Sequence, residues 1–164
     1  MSALATTPSM YWEDFTVGET YEMGRHTFTL EEILEFAAKY DPQPIHVDEA
    51  AAKASFYEGI IASGWHTCSV GMRFAVDSYI NACVSLGSPG LDNIRWHKPV
   101  RPGDTITYRR TTLASRASQS RPGVGLMQGR IEAFNQHGEL VMSNEGWGLF
   151  GRRPQAWPPG ERGG

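Results

Sequence analysis

The amino-acid sequence predicts an α+β domain in which a curved antiparallel sheet wraps one long buried helix. Three observations carry this. A first strand is followed by helical signals up to about Val84 and then by strand signals, an order that suits helices on one face of an antiparallel sheet. The segment Trp65–Val84 is small or apolar nearly all round, with Arg73, Asp77 and Asn81 on one narrow stripe, and such a helix needs a broad cover. The chain has 164 residues, 40% of them hydrophobic and 20% charged, which suffices for one core without cross-links.

Taken in order, Tyr21–Phe28 mixes aromatic residues and Thr after Gly18 and reads as the first strand. Thr29-Leu30-Glu31-Glu32 then has the form of a capping box, and Ile33, Phe36, Ala37 and Tyr40 set an inward apolar face on the helix that follows. Pro42 and Pro44 push the residues before them toward extended geometry, so this helix stops at Asp41. Asp48 caps a short helix through the alanines to Ala54. Ser63-Gly64 opens the long helix, whose first amides point forward unpaired and form a ready oxyanion site. A membrane span is rejected, because Arg73 and Asp77 would each cost roughly 2.5–3.5 kcal/mol at mid-span. These two residues sit four apart and suit a helical ion pair.

Beyond the loop Ser85–Gly90, Ile94 and Trp96 alternate with polar neighbours, Pro99, Pro102 and Gly103 mark a turn, and Thr105–Leu113 follows, which reads as a long hairpin. Met127, Ile131 and Ala133 give another strand, Asn135–Gly138 a turn, and Val141, Trp147 and Leu149 the last strand, curved at Gly146 and Gly148. The domain is expected over residues 15–150, with a flexible lead-in at 1–14 and an exposed tail at 151–164.

The net charge of −3 gives no global attraction to nucleic acid or to an anionic membrane surface. The first residues lack the basic and apolar regions of a signal peptide, so a cytoplasmic protein is expected. Cys68 and Cys83, if both on the long helix, lie about 22 Å apart and cannot pair. No CxxC pair and no His at helical i, i+4 spacing suggests a metal site.

The stretch with the most chemistry is Tyr40-Asp41-Pro42-Gln43-Pro44-Ile45-His46-Val47-Asp48. Fully extended, it would hold Asp41 and His46 roughly 15 Å apart, so a shared proton-transfer site requires the chain to curl between them. The competing reading is a helix exit with His46 merely packed. His66, one turn into an apolar helix, reads as a satisfied core residue.

This stretch resembles the signature of the MaoC-like dehydratases, in which an acid, Asn-Pro, an aliphatic residue and His are followed by a further Asp. Ile61-Ala62-Ser63-Gly64-Trp65-His66 is similar to the start of that family's central helix, and Trp96–Asp104, with its Lys-Pro-Val and Pro-Gly-Asp, to its hairpin signature. The resemblance spans roughly Phe15–Phe150, with Gln43 replacing the usual Asn and Ser63 a frequent His. It implies the hotdog fold and, by similarity to the (R)-specific enoyl-CoA hydratases, addition or removal of water at a 2-enoyl or 3-hydroxyacyl thioester, an acyl-CoA. In that reading Asp41 is the base, His46 assists the proton relay, and the Gly64 amide polarises the carbonyl. Gln43, Ser63 and Trp65 attend the substrate, while Arg116 and Arg121 are placed to meet coenzyme A phosphates. No cofactor beyond the thioester substrate is expected, and no metal. A hotdog thioesterase and a non-catalytic acyl-binding subunit are the alternatives. An exposed sheet edge further suggests a homodimer.

Overall fold

The computed structural model describes residues 8–154. Its sheet has five strands, β1 (Thr20–Thr27), β2 (Gly90–Trp96), β3 (Thr105–Ala117), β4 (Val124–Phe134) and β5 (Leu140–Gly151), ordered β1-β3-β4-β5-β2 with every neighbouring pair antiparallel. The expected β2–β3 hairpin is therefore absent. Strand β2 is an edge strand paired with β5, so the Pro99–Gly103 segment carries the chain across the sheet to the interior strand β3 and does not turn a ribbon. Local turn residues mark where the chain bends but not which strand it rejoins.

Helix α1 (Leu30–Tyr40) starts at Thr29, whose hydroxyl accepts the Glu32 N–H at 3.2 Å. The return half of the expected capping box does not form, because the Glu32 carboxylate lies 2.5 Å from His26 Nε2 on β1. Ile33 and Ala37 are buried as expected, whereas Tyr40 is 69% exposed, its ring tilted against that of Phe36. A one-turn helix α2 (Pro44–Val47) follows, then α3 (Glu49–Ala54), capped by Asp48 through the Ala51 N–H at 3.0 Å.

Helix α4 (Gly64–Ala75) crosses the sheet and continues as a wider π-type turn over Val76–Ile80, ending before the expected Val84. Its inner face carries small residues that admit large partners. A Cβ on Gly71 would meet the Tyr108 ring at 3.1 Å, and one on Gly24 of β1 would overlap Phe74 at 2.4 Å. Tyr108, fully buried, donates its hydroxyl to the Thr67 carbonyl at 2.9 Å and ties β3 to the helix. Phe28, Ile33, Ile106, Val141 and Met142 complete this core.

The helix is not covered all round, however. Trp65 and Met72 are each 54% exposed, and Arg73 pairs with Asp77 at 2.7 Å on the same outward face. Parts of the expected lead-in and tail also belong to the packed structure. Trp12 lies on Gly125 and donates its indole N–H to the Leu126 carbonyl, while Arg153 pairs with Asp14 at 2.8 Å. Residues 1–7 and 155–164 of those segments lie outside the described part. Both cysteines are free thiols.

Candidate active site

The double-proline stretch makes the curl that a shared site requires. Pro44 begins α2, a position where its missing N–H costs nothing, and the His46 N–H returns to the Gln43 carbonyl at 2.8 Å. His46 is thereby turned back toward Asp41, the residue that closes α1, and His46 Nε2 stands 3.3 Å from Asp41 Oδ2.

The protonation of this pair follows from its partners. His46 Nδ1 lies 2.7 Å from the Ile61 carbonyl, which only accepts, so Nδ1 carries the proton. The neutral ring then presents the lone pair of Nε2 to a carboxylate oxygen. Two acceptors face each other, an arrangement stabilised by imidazolium or by a molecule that donates one proton to each. Water has the two donor protons that the second requires.

Asp41 is held from two further sides. Gln43 donates its amide to Oδ1 at 2.7 Å, and the Ser63 hydroxyl donates to Oδ2 at 2.7 Å. Burial alone would raise the Asp41 pKa, but the bonds from Gln43 and Ser63, together with attraction to His46 when its ring is an imidazolium, outweigh it and hold the carboxyl below its ordinary value. Asp41 is thus kept ionised and aimed.

Ser63 also starts α4, accepting the Trp65 N–H on its hydroxyl at 3.3 Å and the His66 and Thr67 N–H groups on its carbonyl. Gly64 is the first residue of the helix, its N–H lying ahead of the helical ladder beside positive dipole charge. The Trp96 ring lies flush on its α-carbon, with Cε2 at 2.3 Å from where a Cβ would stand.

Asp41, Gln43, His46, Gly64, Trp65 and Trp96 line one cavity of 560 Å³. Of the residues expected from the sequence, Ser63 stands behind this wall, fully buried, and reaches the cavity only through Asp41. Arg116 and Arg121 are not brought to it: Arg116 stacks over Trp147 at 5.3 Å, and Arg121 lies in the β3–β4 turn. The cation that does line the cavity is Lys98, whose ammonium pairs with Glu139. Trp96 and Lys98 belong to a segment singled out in the sequence, but only the β2–β5 pairing sets them opposite α4. His66 is a core residue stacked on Phe36 at 4.6 Å, though not a satisfied one, since its Nδ1 is buried without a partner among the described residues. Burial lowers its pKa. Among the described residues no group of three His, Cys, Asp or Glu is placed to hold a metal ion.

The family description "MaoC like domain" matches residues 14–126. The chain belongs to this family. Its architecture is the hotdog fold. The MaoC-like dehydratase of Rhodospirillum rubrum superposes with a TM-score of 0.81 at 36% identity, over 89% of this chain and 99% of that one. R-hydratase PhaJ1 from Pseudomonas aeruginosa shares the fold, with a TM-score of 0.69 and 20% identity over 94% and 97% of the two chains. Mesaconyl-CoA hydratase of Cereibacter sphaeroides is 35% identical over 82 residues, which are 50% of this chain and 23% of that protein. The matched range includes all three motif segments, 40–48, 61–66 and 96–104. No helix among the described residues is long and apolar enough to cross a membrane.

Proposed function

We propose that this protein adds water to a 2-enoyl thioester or removes it from the 3-hydroxyacyl form, the acyl group being carried by coenzyme A. The carrying observation is the Asp41–His46 pair, two acceptors 3.3 Å apart in which the imidazole tautomer is fixed by the Ile61 carbonyl. A water that donates to both turns its own lone pairs outward, toward a substrate in the cavity.

In the hydration direction the thioester oxygen accepts the Gly64 N–H. The water oxygen bonds to Cβ as Asp41 takes one of its protons, the alkene pair shifts to the bond between Cα and the carbonyl carbon, and the carbonyl π pair moves onto the thioester oxygen. When the enolate returns, that proton, relayed through His46, ends on Cα and the carboxylate is restored. Acid–base groups so placed contribute about 10²–10⁴-fold, and one oxyanion donor about 2.7–4 kcal/mol. Gln43 and Ser63 act as positioning residues through Asp41, and Trp65 forms wall. Arg116 and Arg121 are given no part at this cavity.

One assay separates the readings. With an enoyl-CoA, loss of the conjugated double bond at constant thiol supports hydration. Release of free thiol without that loss makes the protein a thioesterase, and saturable binding with neither makes it an acyl-binding module.

The reading includes a cytoplasmic homodimer joined at the outer edge of β2, where Leu91 and Trp96 are about half exposed beside the outward face of α4. Sedimentation equilibrium is expected to give twice the chain mass. A fully active monomer over a wide concentration range would sink this part.

A further inference from the structure

Three contacts, spaced along α1 and its C-cap, join that helix to the start of α4. Glu32 Oε1 lies 3.6 Å from His66 Nε2, the Phe36 ring stacks on the His66 ring at 4.6 Å and 7°, and Asp41 accepts the Ser63 hydroxyl at 2.7 Å. Two of the three fall on one imidazole. His66 is 7% exposed, and its backbone N–H bonds the Ser63 carbonyl at 3.0 Å, so the ring belongs to the turn that carries Gly64. It does not line the cavity. The cluster faces β1, the sheet edge opposite the one given to the dimer contact.

The surroundings of this ring suit one charge state. Its Nε2 faces the carboxylate, so the neutral ring carries its proton there and leaves Nδ1 a bare acceptor, buried and without a partner among the described residues. A second proton would make Nδ1 a charged donor with no acceptor, which burial penalises heavily. Glu32 is poorly placed to answer that charge, because its Oε1 already lies 2.5 Å from His26 Nε2. The ionisable groups that act on the ring are Glu32 from α1 and His26 from β1. Tyr108 of β3, within range of Glu32, keeps its proton because burial raises its pKa, and it donates to the Thr67 carbonyl. Burial opposes the imidazolium most, Glu32 favours it and His26 opposes it, which leaves the pKa below its ordinary value.

We propose that His66 is a positioning residue that holds the Asp41 end of α1 against the Gly64 end of α4 only while its ring is neutral, and that protonation releases this contact. The charged ring satisfies Nδ1 only by admitting water, which parts the Phe36 stack and loosens the turn of Ser63 and Gly64. This concerns how two walls of the cavity are held together, and it stands apart from the reaction performed there. With the folded pKa below the ordinary 6.5, the contribution of His66 to stability is complete above that value and is lost as pH falls toward the folded pKa.

Hydrogen exchange read by mass spectrometry and thermal melts, both on the full-length protein from pH 7.5 to 5, follow the release. The comparison variant is His66→Phe, which keeps an aromatic ring against Phe36 and cannot take a proton. The exchange rate of residues 63–67 in wild type, divided by that in the variant, cancels the intrinsic pH dependence of exchange and should rise about threefold or more across the series. Wild-type Tm should fall by about 1–3 °C more than that of the variant. A constant ratio with equal losses of Tm overturns the proposal. So does a ratio that rises as much in β4 and β5, which would make His66 a general stability residue. Ring NMR of wild type alone supplies a reading where the variant does not fold: the His66 ring should titrate below 6.5, together with the rise in exchange at 63–67. A His66 midpoint at or above 6.5, or one with no accompanying rise, overturns the proposal.

Discussion

Removing the Ser63 hydroxyl tests the site at the point where fold and chemistry join. This hydroxyl donates to Asp41 Oδ2 at 2.7 Å and accepts the Trp65 N–H at 3.3 Å. The first bond is short and ends on a charged group, a class that contributes about 1.5–3 kcal/mol, while the second is long and lies at the low end of the capping range, near 0.5 kcal/mol. Ser63→Ala should therefore destabilise by about 2–3 kcal/mol near neutral pH. For a chain of this size that lowers Tm by roughly 4–12 °C. The pH dependence carries the sharper signature. Asp41 is held below its ordinary value of 3.8, so its contribution to stability is fully present above that value and is lost as pH falls through the folded pKa. Without the Ser63 donor the folded pKa rises. The stability gap between wild type and variant should then narrow in acid, and the acid limb of kcat/KM for enoyl-CoA hydration should move to higher pH. Thermal melts and initial rates across a pH series read both. An unmoved acid limb together with an unchanged Tm would show that Ser63 neither holds Asp41 ionised nor caps α4.

Asp41→Asn and His46→Ala should each cut turnover by about 10²-fold or more with the fold retained, and the double variant should be little worse than the worse single one, because groups that act as a unit are strongly non-additive; additive losses in steady-state rates would assign them separate tasks. Gln43→Asn should keep most activity, whereas Gln43→Leu, which leaves Asp41 Oδ1 without its 2.7 Å donor, should lose more turnover than stability, at about 1–3 kcal/mol; equal rates for Gln43→Leu and wild type would remove Gln43 from the site. Gly64→Ala places a methyl where Trp96 Cε2 would be 2.3 Å away, so it should displace the indole and lower stability by about 1–3 kcal/mol, with recovery in the pair Gly64→Ala/Trp96→Ala; the same melting curve for both variants would refute that contact.

Much of this protein was legible in its sequence wherever the cause is local. Thr29 and Asp48 cap their helices because a hydroxyl or carboxylate three residues ahead of an orphan amide needs nothing from the rest of the chain. Pro42 and Pro44 end α1 and start α2 by fixing their own backbone, which is why the Asp41–His46 curl could be expected from spacing and proline chemistry. The ordered motifs located the family, and the small, apolar central helix located the sheet that packs on it. Tertiary structure decided what depends on partners distant in the chain. Strand β2 joined β5 and not β3, because pairing is fixed by which faces the core buries and not by the turn between the strands. Ser63 became a donor to Asp41 across twenty-two residues, Glu32 turned Oε1 to His26 while Oε2 stayed on the Thr29 hydroxyl, and Arg116 and Arg121 were turned away from the cavity that Lys98 reaches. The sharpest case is Arg110, chemically indistinguishable in sequence from its neighbour Arg109. The pleat directs adjacent residues of β3 to opposite faces, so one guanidinium lies over Phe134 on one side of the sheet and the other is enclosed by three aromatic rings in the core.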